Sequence, residues 1–180
     1  MVRFIPSIII CLSVLFSSTD LSALAPGKAG TIILKGEDFP VEKTTELSCT
    51  DSGECVHFVD EIKKTVQLKL AAFMGDKTLN IEIEIPATMG SHKIKLDKDG
   101  DQKPGEKFYL EILGQNPAVD KVVYTLEDER DDATIIITDI SEENGTLTGS
   151  FSGRFFDGAT AVKRVQVNGT FFINDNKSGK

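Results

Sequence analysis

The stretch Thr146-Leu147-Thr148-Gly149-Ser150-Phe151-Ser152-Gly153-Arg154-Phe155-Phe156 decides the fold, together with Arg164-Val165-Gln166-Val167-Asn168-Gly169-Thr170-Phe171-Phe172-Ile173 a short connection later. Successive side chains of a strand point to opposite faces. One face of the first run carries Leu147, Gly149, Phe151, Gly153 and Phe155, and one face of the second carries Val165, Val167, Gly169, Phe171 and Ile173. The opposite faces are mostly Thr, Ser, Arg, Gln and Asn. This is the period of two half-buried strands, and Asp157-Gly158-Ala159-Thr160 supplies the connection of a hairpin. Glycine inside a strand marks a bulge or a close approach, here against an aromatic ring. Gly149 and Gly153 flank Phe151, and Gly169 lies two residues before Phe171. The expected core therefore includes Phe151, Phe155, Val165, Val167 and Phe171.

The same alternation runs back toward the N-terminus. Residues 65–73 put Val66, Leu68 and Leu70 on one face, and residues 79–85 alternate Ile81, Ile83 and Ile85 with Asn80, Glu82 and Glu84. Gly75-Asp76-Lys77 between them predicts a hairpin turn. Further short strands are predicted at 44–48, 56–59, 91–96, 108–113, 121–126 and 133–138, each bounded by Gly, Pro, Asn or Asp. The triplet Ile135-Ile136-Ile137 suits a strand buried on both faces. No segment has a sustained helical period, and only 59–65 would make one short turn. The expected fold is all-β: a single antiparallel β-sandwich or barrel of about 8–11 strands.

The first 25 residues read differently. Arg3 precedes an apolar run from Phe4 to Phe16, and a stretch of polar and small residues follows to Ala25. That order is a secretory signal. The run is shorter than the roughly 20 apolar residues that span a bilayer, so no transmembrane span is expected. Cleavage is expected after Ala23 or Ala25, which leaves one β domain over 26–180. Cys11 has Ile10 before it rather than a small residue, so it does not read as a lipidation site.

The chain carries 20 basic and 28 acidic residues, a net charge of −8, and the signal removes one of each sign. No cluster of Lys or Arg is visible in the sequence, which argues against nucleic acid as a partner. Cys49 and Cys55 survive cleavage and bracket a polar segment with the look of a turn. In an oxidising compartment they would pair, closing a short loop worth roughly 2 kcal/mol on the chain-entropy model. The implied location is secreted, periplasmic or cell envelope.

One ordered set of motifs carries a resemblance. It begins with Gly90, Ile94 and Leu96, then Tyr124, then Ala133-Thr134-Ile135-Ile136-Ile137-Thr138 after an acidic turn. Gly145-Thr146-Leu147-Thr148-Gly149-Ser150-Phe151 and Val165-Gln166-Val167-Asn168-Gly169-Thr170-Phe171 complete it. Over roughly residues 65–173 the chain resembles a family of small exported β proteins, often lipoproteins, from Bacteroidetes-like bacteria, whose function is unknown. It departs from that family in lacking a lipobox cysteine. The resemblance implies a β-sandwich or barrel at the cell envelope and no catalytic residues.

Sites of chemistry are sparse. His57 and His92 are the only histidines and have no metal-ligand spacing. Gly149-Ser150-Phe151-Ser152-Gly153 looks like a nucleophile elbow, but no helix follows it. Sugar sites usually use aromatic platforms, and the chain has no Trp and two Tyr. The most suggestive segment is Asp97-Lys98-Asp99-Gly100-Asp101, whose alternating carboxylates could hold calcium and otherwise form a solvated turn. The acidic run 127–132 reads as a solvated turn. The sequence thus points to an exported, non-catalytic recognition or structural module with no cofactor, whose partner would be a protein at the envelope. Two alternatives stand beside it. One is a lipocalin-like barrel whose phenylalanines line a site for a small apolar ligand. The other is an enzyme with a dispersed carboxylate pair.

Overall fold

The computed structural model describes residues 28–49, 55–59, 64–97, 99–118, 120–126, 132–158 and 163–174. The export segment expected at 1–25, most of the acidic run and the centre of the 159–162 connection lie outside the described residues. The strands, in chain order, are β1 (Lys28–Gly36), β2 (Phe39–Cys49), β3 (Val56–Val59), β4 (Thr65–Met74), β5 (Lys77–Pro86) and β6 (Gly90–Lys95). They continue with β7 (Lys107–Leu113), β8 (Lys121–Thr125), β9 (Asp132–Ser141), β10 (Thr146–Asp157) and β11 (Arg164–Asn174). The described residues contain no helix, and hence none long and apolar enough to cross a membrane.

Every pairing is antiparallel. The order β11-β1-β2-β4-β5-β7-β8-β10 closes on itself through β10–β11, giving an eight-stranded barrel. Closure pairs the two end strands of that eight-strand order with each other. β9 and β6 extend from the other side of β10, and β3 pairs with β4. Two seams are narrow. β2 meets β4 only at Ser48–Ala71 and Cys49–Leu70, and β8 meets β10 only at Phe156–Thr125 and Asp157–Tyr124. β10 therefore changes neighbour along its length, pairing with β9 from Thr146 to Gly153 and with β8 at its end. The result is a closed barrel with two short seams, and the alternation along its strands is the one a sandwich would also show.

The alternating apolar residues fill the interior. Leu79, Ile81, Ile83 and Ile85 of β5 are buried, as are Phe151, Phe155, Val165, Val167 and Phe171 of the C-terminal hairpin. Phe108 of β7 reaches across the interior to β10, with ring centroids 4.8 Å from Phe155 and 5.7 Å from Phe151. The strand glycines make room for such rings. A Cβ on Gly153 would lie 2.7 Å from the Phe155 ring, and one on Gly149 would lie 2.6 Å from the Phe171 ring.

Two expectations need correction. Ile136 is 42% exposed, so β9 is buried on one face only. β9 packs Ala133, Ile135 and Ile137 inward over the barrel, and no second layer covers its outer side. The strand β1 has no counterpart in the sequence reading, and β2 begins at Phe39 rather than at residue 44. Gly30 and Gly36 read locally as turn residues but sit inside the β1–β11 ladder. At Gly36 a Cβ would collide with the Arg164 carbonyl oxygen, so the close strand approach demands glycine there.

Cys49 and Cys55 form a disulfide with a Cα–Cα separation of 4.9 Å. β2 and β3 both run along β4, so the bridge clamps the excursion between two segments of the same edge. Thiol titration of denatured, non-reduced protein should find neither cysteine free. Replacing both by serine should cost about 2 kcal/mol in urea unfolding. Two free thiols in the native protein would contradict the bridge.

Candidate functional site

Asp97, Asp99 and Asp101 lie in the loop after β6. Asp97 Oδ1 accepts hydrogen bonds from the backbone amides of Asp99 (2.8 Å) and Asp101 (3.0 Å). The Asp97 amide donates to the Asp101 carbonyl at 2.7 Å and the Gly100 amide to the Asp97 carbonyl at 3.0 Å. Gly100 adopts φ 83°, the left-handed conformation that glycine supplies in a turn. Gln102 then ties the loop to β7, donating to the Phe108 carbonyl at 3.0 Å and accepting from its amide at 2.7 Å. Asp97 thus closes a turn through its side chain. Among the described residues no three His, Cys, Asp or Glu side chains converge as a metal-holding group. Asp97→Ala should cost about 1 kcal/mol through the lost turn bonds, with or without millimolar calcium. A calcium-induced rise in Tm that disappears in Asp99→Asn would instead make the loop an ion site.

The other sequence candidates fall apart in space. His92 on β6 has its Nε2 2.8 Å from the Thr88 carbonyl, while His57 belongs to β3 on the β4 side of the barrel. Ser150 sits mid-strand in β10 between Thr170 and Ile136, not on an elbow.

The polar chemistry that the fold does assemble lies at the end carrying the β1–β2, β4–β5 and β10–β11 turns. Asp38, at the β1–β2 turn, accepts from the Tyr124 hydroxyl at 2.9 Å and from Lys163 Nζ at 2.7 Å. Tyr124 is buried, and Asp157, paired with it across the β8–β10 seam, is only 8% exposed. Burial pushes the Asp38 carboxyl up, but the hydrogen bonds from Lys163 and Tyr124 outweigh it and hold the group below the usual carboxylate range. Burial, then the bond to Asp38, raises the Tyr124 phenol above its ordinary value. The arrangement is a carboxylate kept ionised and a phenol kept protonated. It pins three elements that are distant in sequence.

That lock has a signed pH dependence. The folded pKa of Asp38 is lowered, so its stabilisation is fully present above about pH 4 and is lost as pH falls through the folded value. Asp38→Asn should lower Tm at pH 7 and flatten the acid limb of the Tm profile. An acid limb identical to the parent's would remove Asp38 from this account.

A second network covers the outer face of β5, β7 and β8. Glu111 accepts from Lys121 at 2.6 Å, Tyr109 at 2.8 Å and Asn80 at 3.1 Å. Its carboxyl, raised by burial, is held low overall by these three partners. Like Asp38, it is engaged rather than poised to take a proton.

Beside the turn end, β2 has one unused edge. Up to Leu47 it pairs with β1, while β4 meets it only at Ser48 and Cys49. Next to that seam the Thr45 hydroxyl donates to the Phe73 carbonyl at 3.3 Å, and β2 residues before Thr45 lie past Met74, the end of β4. Val41 on β2 is 79% exposed and Phe73 on β4 is 71% exposed. Neither the edge nor the Asp38 network was signalled in the sequence, because both depend on which strands become neighbours. Compared with protein-family models, with curated proteins and with solved structures, the chain matches none.

Proposed function

We propose that the chain is an exported, non-catalytic β domain, secreted or held at the cell envelope, that acts by recognising an extended segment of a protein partner along the free edge of β2. The observation that carries this reading is that β2 runs past the end of β4: the register sets Met74 level with Thr45, so residues 39–43, with exposed Val41, have no β4 residue alongside. An added strand satisfies the backbone groups of such an edge, and flanking apolar side chains give it specificity. Glu42 and Lys43 on the same strand discourage indiscriminate edge pairing.

Two alternatives fit less well. An eight-stranded barrel is wide enough to hold a small ligand, as the lipocalin-like reading asks, but here Phe108, Phe151 and Phe155 pack ring to ring across the interior. The dispersed-carboxylate reading needs one carboxyl to donate a proton and another to act as base or nucleophile. Asp38 and Glu111 are both held ionised by cationic and hydroxyl donors.

The test is site-specific photo-crosslinking in the native envelope, with the reactive residue at Val41 or, as control, at Met89, which is 67% exposed at the opposite end. A discrete adduct from position 41 alone, lost when Glu42→Pro removes a β2 amide that faces away from β1, supports edge recognition. Equal labelling from both positions, or an adduct indifferent to Glu42→Pro, rejects it. Saturable binding of a fluorescent fatty acid would favour the lipocalin-like reading instead.

A further inference from the structure

The outer face of the turn end concentrates positive charge that the sequence hides. Lys35 of β1 and Arg154 of β10 are both directly opposite Gln166 of β11, so the three form one row across adjacent strands. Each alternates with a buried neighbour, Leu34, Phe155 and Val165 respectively, and therefore points outward. Strand spacing places the Lys35 and Arg154 backbones about 10 Å apart. Arg164, two residues before Gln166 on the same face, lies with its guanidinium carbon 5.0 Å from the centroid of the Phe156 ring. These residues, with Phe39, line a cleft of about 350 Å³.

The charge is nearly uncompensated locally. Among the described residues, Lys35 and Arg154 have no ion pair and no side-chain hydrogen bond. The single carboxylate lining the cleft, Glu37, accepts from the Arg164 backbone amide at 2.5 Å, which fixes it at the rim. Three cations against one carboxylate leave an excess of two positive charges in a chain whose net charge is −8. The protein as a whole repels anions, so a local cluster of this kind is a place where an anion gains. The cleft floor is partly without side chains, because Gly36 lies against the Arg164 carbonyl and any Cβ there would collide with it. Phe39 and Pro40 supply apolar surface beside the cations.

We propose that the cleft bounded by Lys35, Arg154, Arg164 and Gln166 is a binding site for a small organic dianion. Arg154 and Lys35 take the oxyanion from two sides, Gln166 between them donates a hydrogen bond, and the organic part rests on Phe39. Guanidinium groups suit phosphate and carboxylate oxygens alike through paired N–H donors. The shared chemistry is therefore two negative charges on a compact apolar group, whether a phosphomonoester or a dicarboxylate. This site is separate from the β2 edge and stands or falls independently of edge recognition.

Isothermal titration at low ionic strength tests it on the intact domain with two probes, phenyl phosphate and phthalate, which assign the ligand to phosphomonoesters or to dicarboxylates. The expected result is saturable one-to-one binding of at least one probe. That binding should weaken about tenfold or more in Lys35→Gln/Arg154→Gln and remain within about twofold in Lys95→Gln/Lys107→Gln, a charge-matched change at exposed positions of β6 and β7. Backbone amide shifts should map to Gly36, Arg154 and Gln166. Unchanged Tm in the double variant keeps the loss of binding separate from misfolding. No saturable binding of either probe would overturn the proposal. So would equal weakening in Lys95→Gln/Lys107→Gln, which would reduce the effect to net charge, or equal binding of neutral benzyl alcohol.

Discussion

Phe151→Ala should lower the unfolding free energy by about 3–5 kcal/mol, read from urea denaturation with an unchanged m-value. The ring is 2% exposed and sits in the barrel interior. Its centroid is 5.7 Å from Phe108 of β7 and 6.4 Å from Phe171 of the neighbouring strand. It also covers Gly169, its direct cross-strand partner, which has no side chain to fill the space if the ring is removed. Collapse around the deletion is therefore limited, and the cost belongs at the upper end of that range. Phe172, which faces outward on the next strand and is only half-buried, should cost far less when truncated. A loss below about 1 kcal/mol for Phe151→Ala would mean that the C-terminal hairpin is peripheral to the core.

The same residues mark what is legible in a sequence of this kind. Gly149, Phe151, Gly153 and Phe155 carry both the strand period and the glycine-to-ring packing, because each of those signals is local. The strand β1 is equally local in its apolar triplet Ile32-Ile33-Leu34, yet it is bracketed by Gly30 and Gly36. Those glycines are set by close approach to β11, which follows more than a hundred residues later. Local rules read them as turns. Ile136 fails for a related reason: three β-branched residues in a row fit a strand with two covered faces, but coverage depends on a second layer that this fold does not place over β9. The bonds from Tyr124 and Lys163 to Asp38 span 86 and 125 positions. The cation row of Lys35 and Arg154 exists only because β11 lies between β1 and β10. Scanning for clusters along the chain finds neither, since sheet order alone makes these residues neighbours. The Asp97 turn is the opposite case, with alternating acids conspicuous in the sequence and one of them occupied by backbone amides in the fold.

Gly169→Val should cost about 2–3 kcal/mol on its own, and that cost should shrink or reverse in the background of Phe151→Ala. A Cβ at position 169 would overlap the tip of the Phe151 ring, with further ring carbons at 2.7 and 2.8 Å. Gly169 is not among the positive-φ positions, so a β-branched residue meets no backbone objection there and intrinsically favours a strand. The penalty is then steric, of the size found when a filled core is overpacked. Because the ring is wedged between Phe108 and Phe171, it cannot swing aside freely. Removing it opens the volume that valine needs, and the valine methyls in turn fill part of the cavity left by the ring. The two substitutions should therefore be strongly non-additive, with a coupling energy of about 2 kcal/mol or more in favour of the double variant. Urea unfolding of the four proteins in the cycle measures this directly. Additive losses would mean that the Gly169 position is constrained by its backbone rather than by Phe151, and the pairing of glycine with ring would cease to explain why this hairpin places glycine opposite phenylalanine.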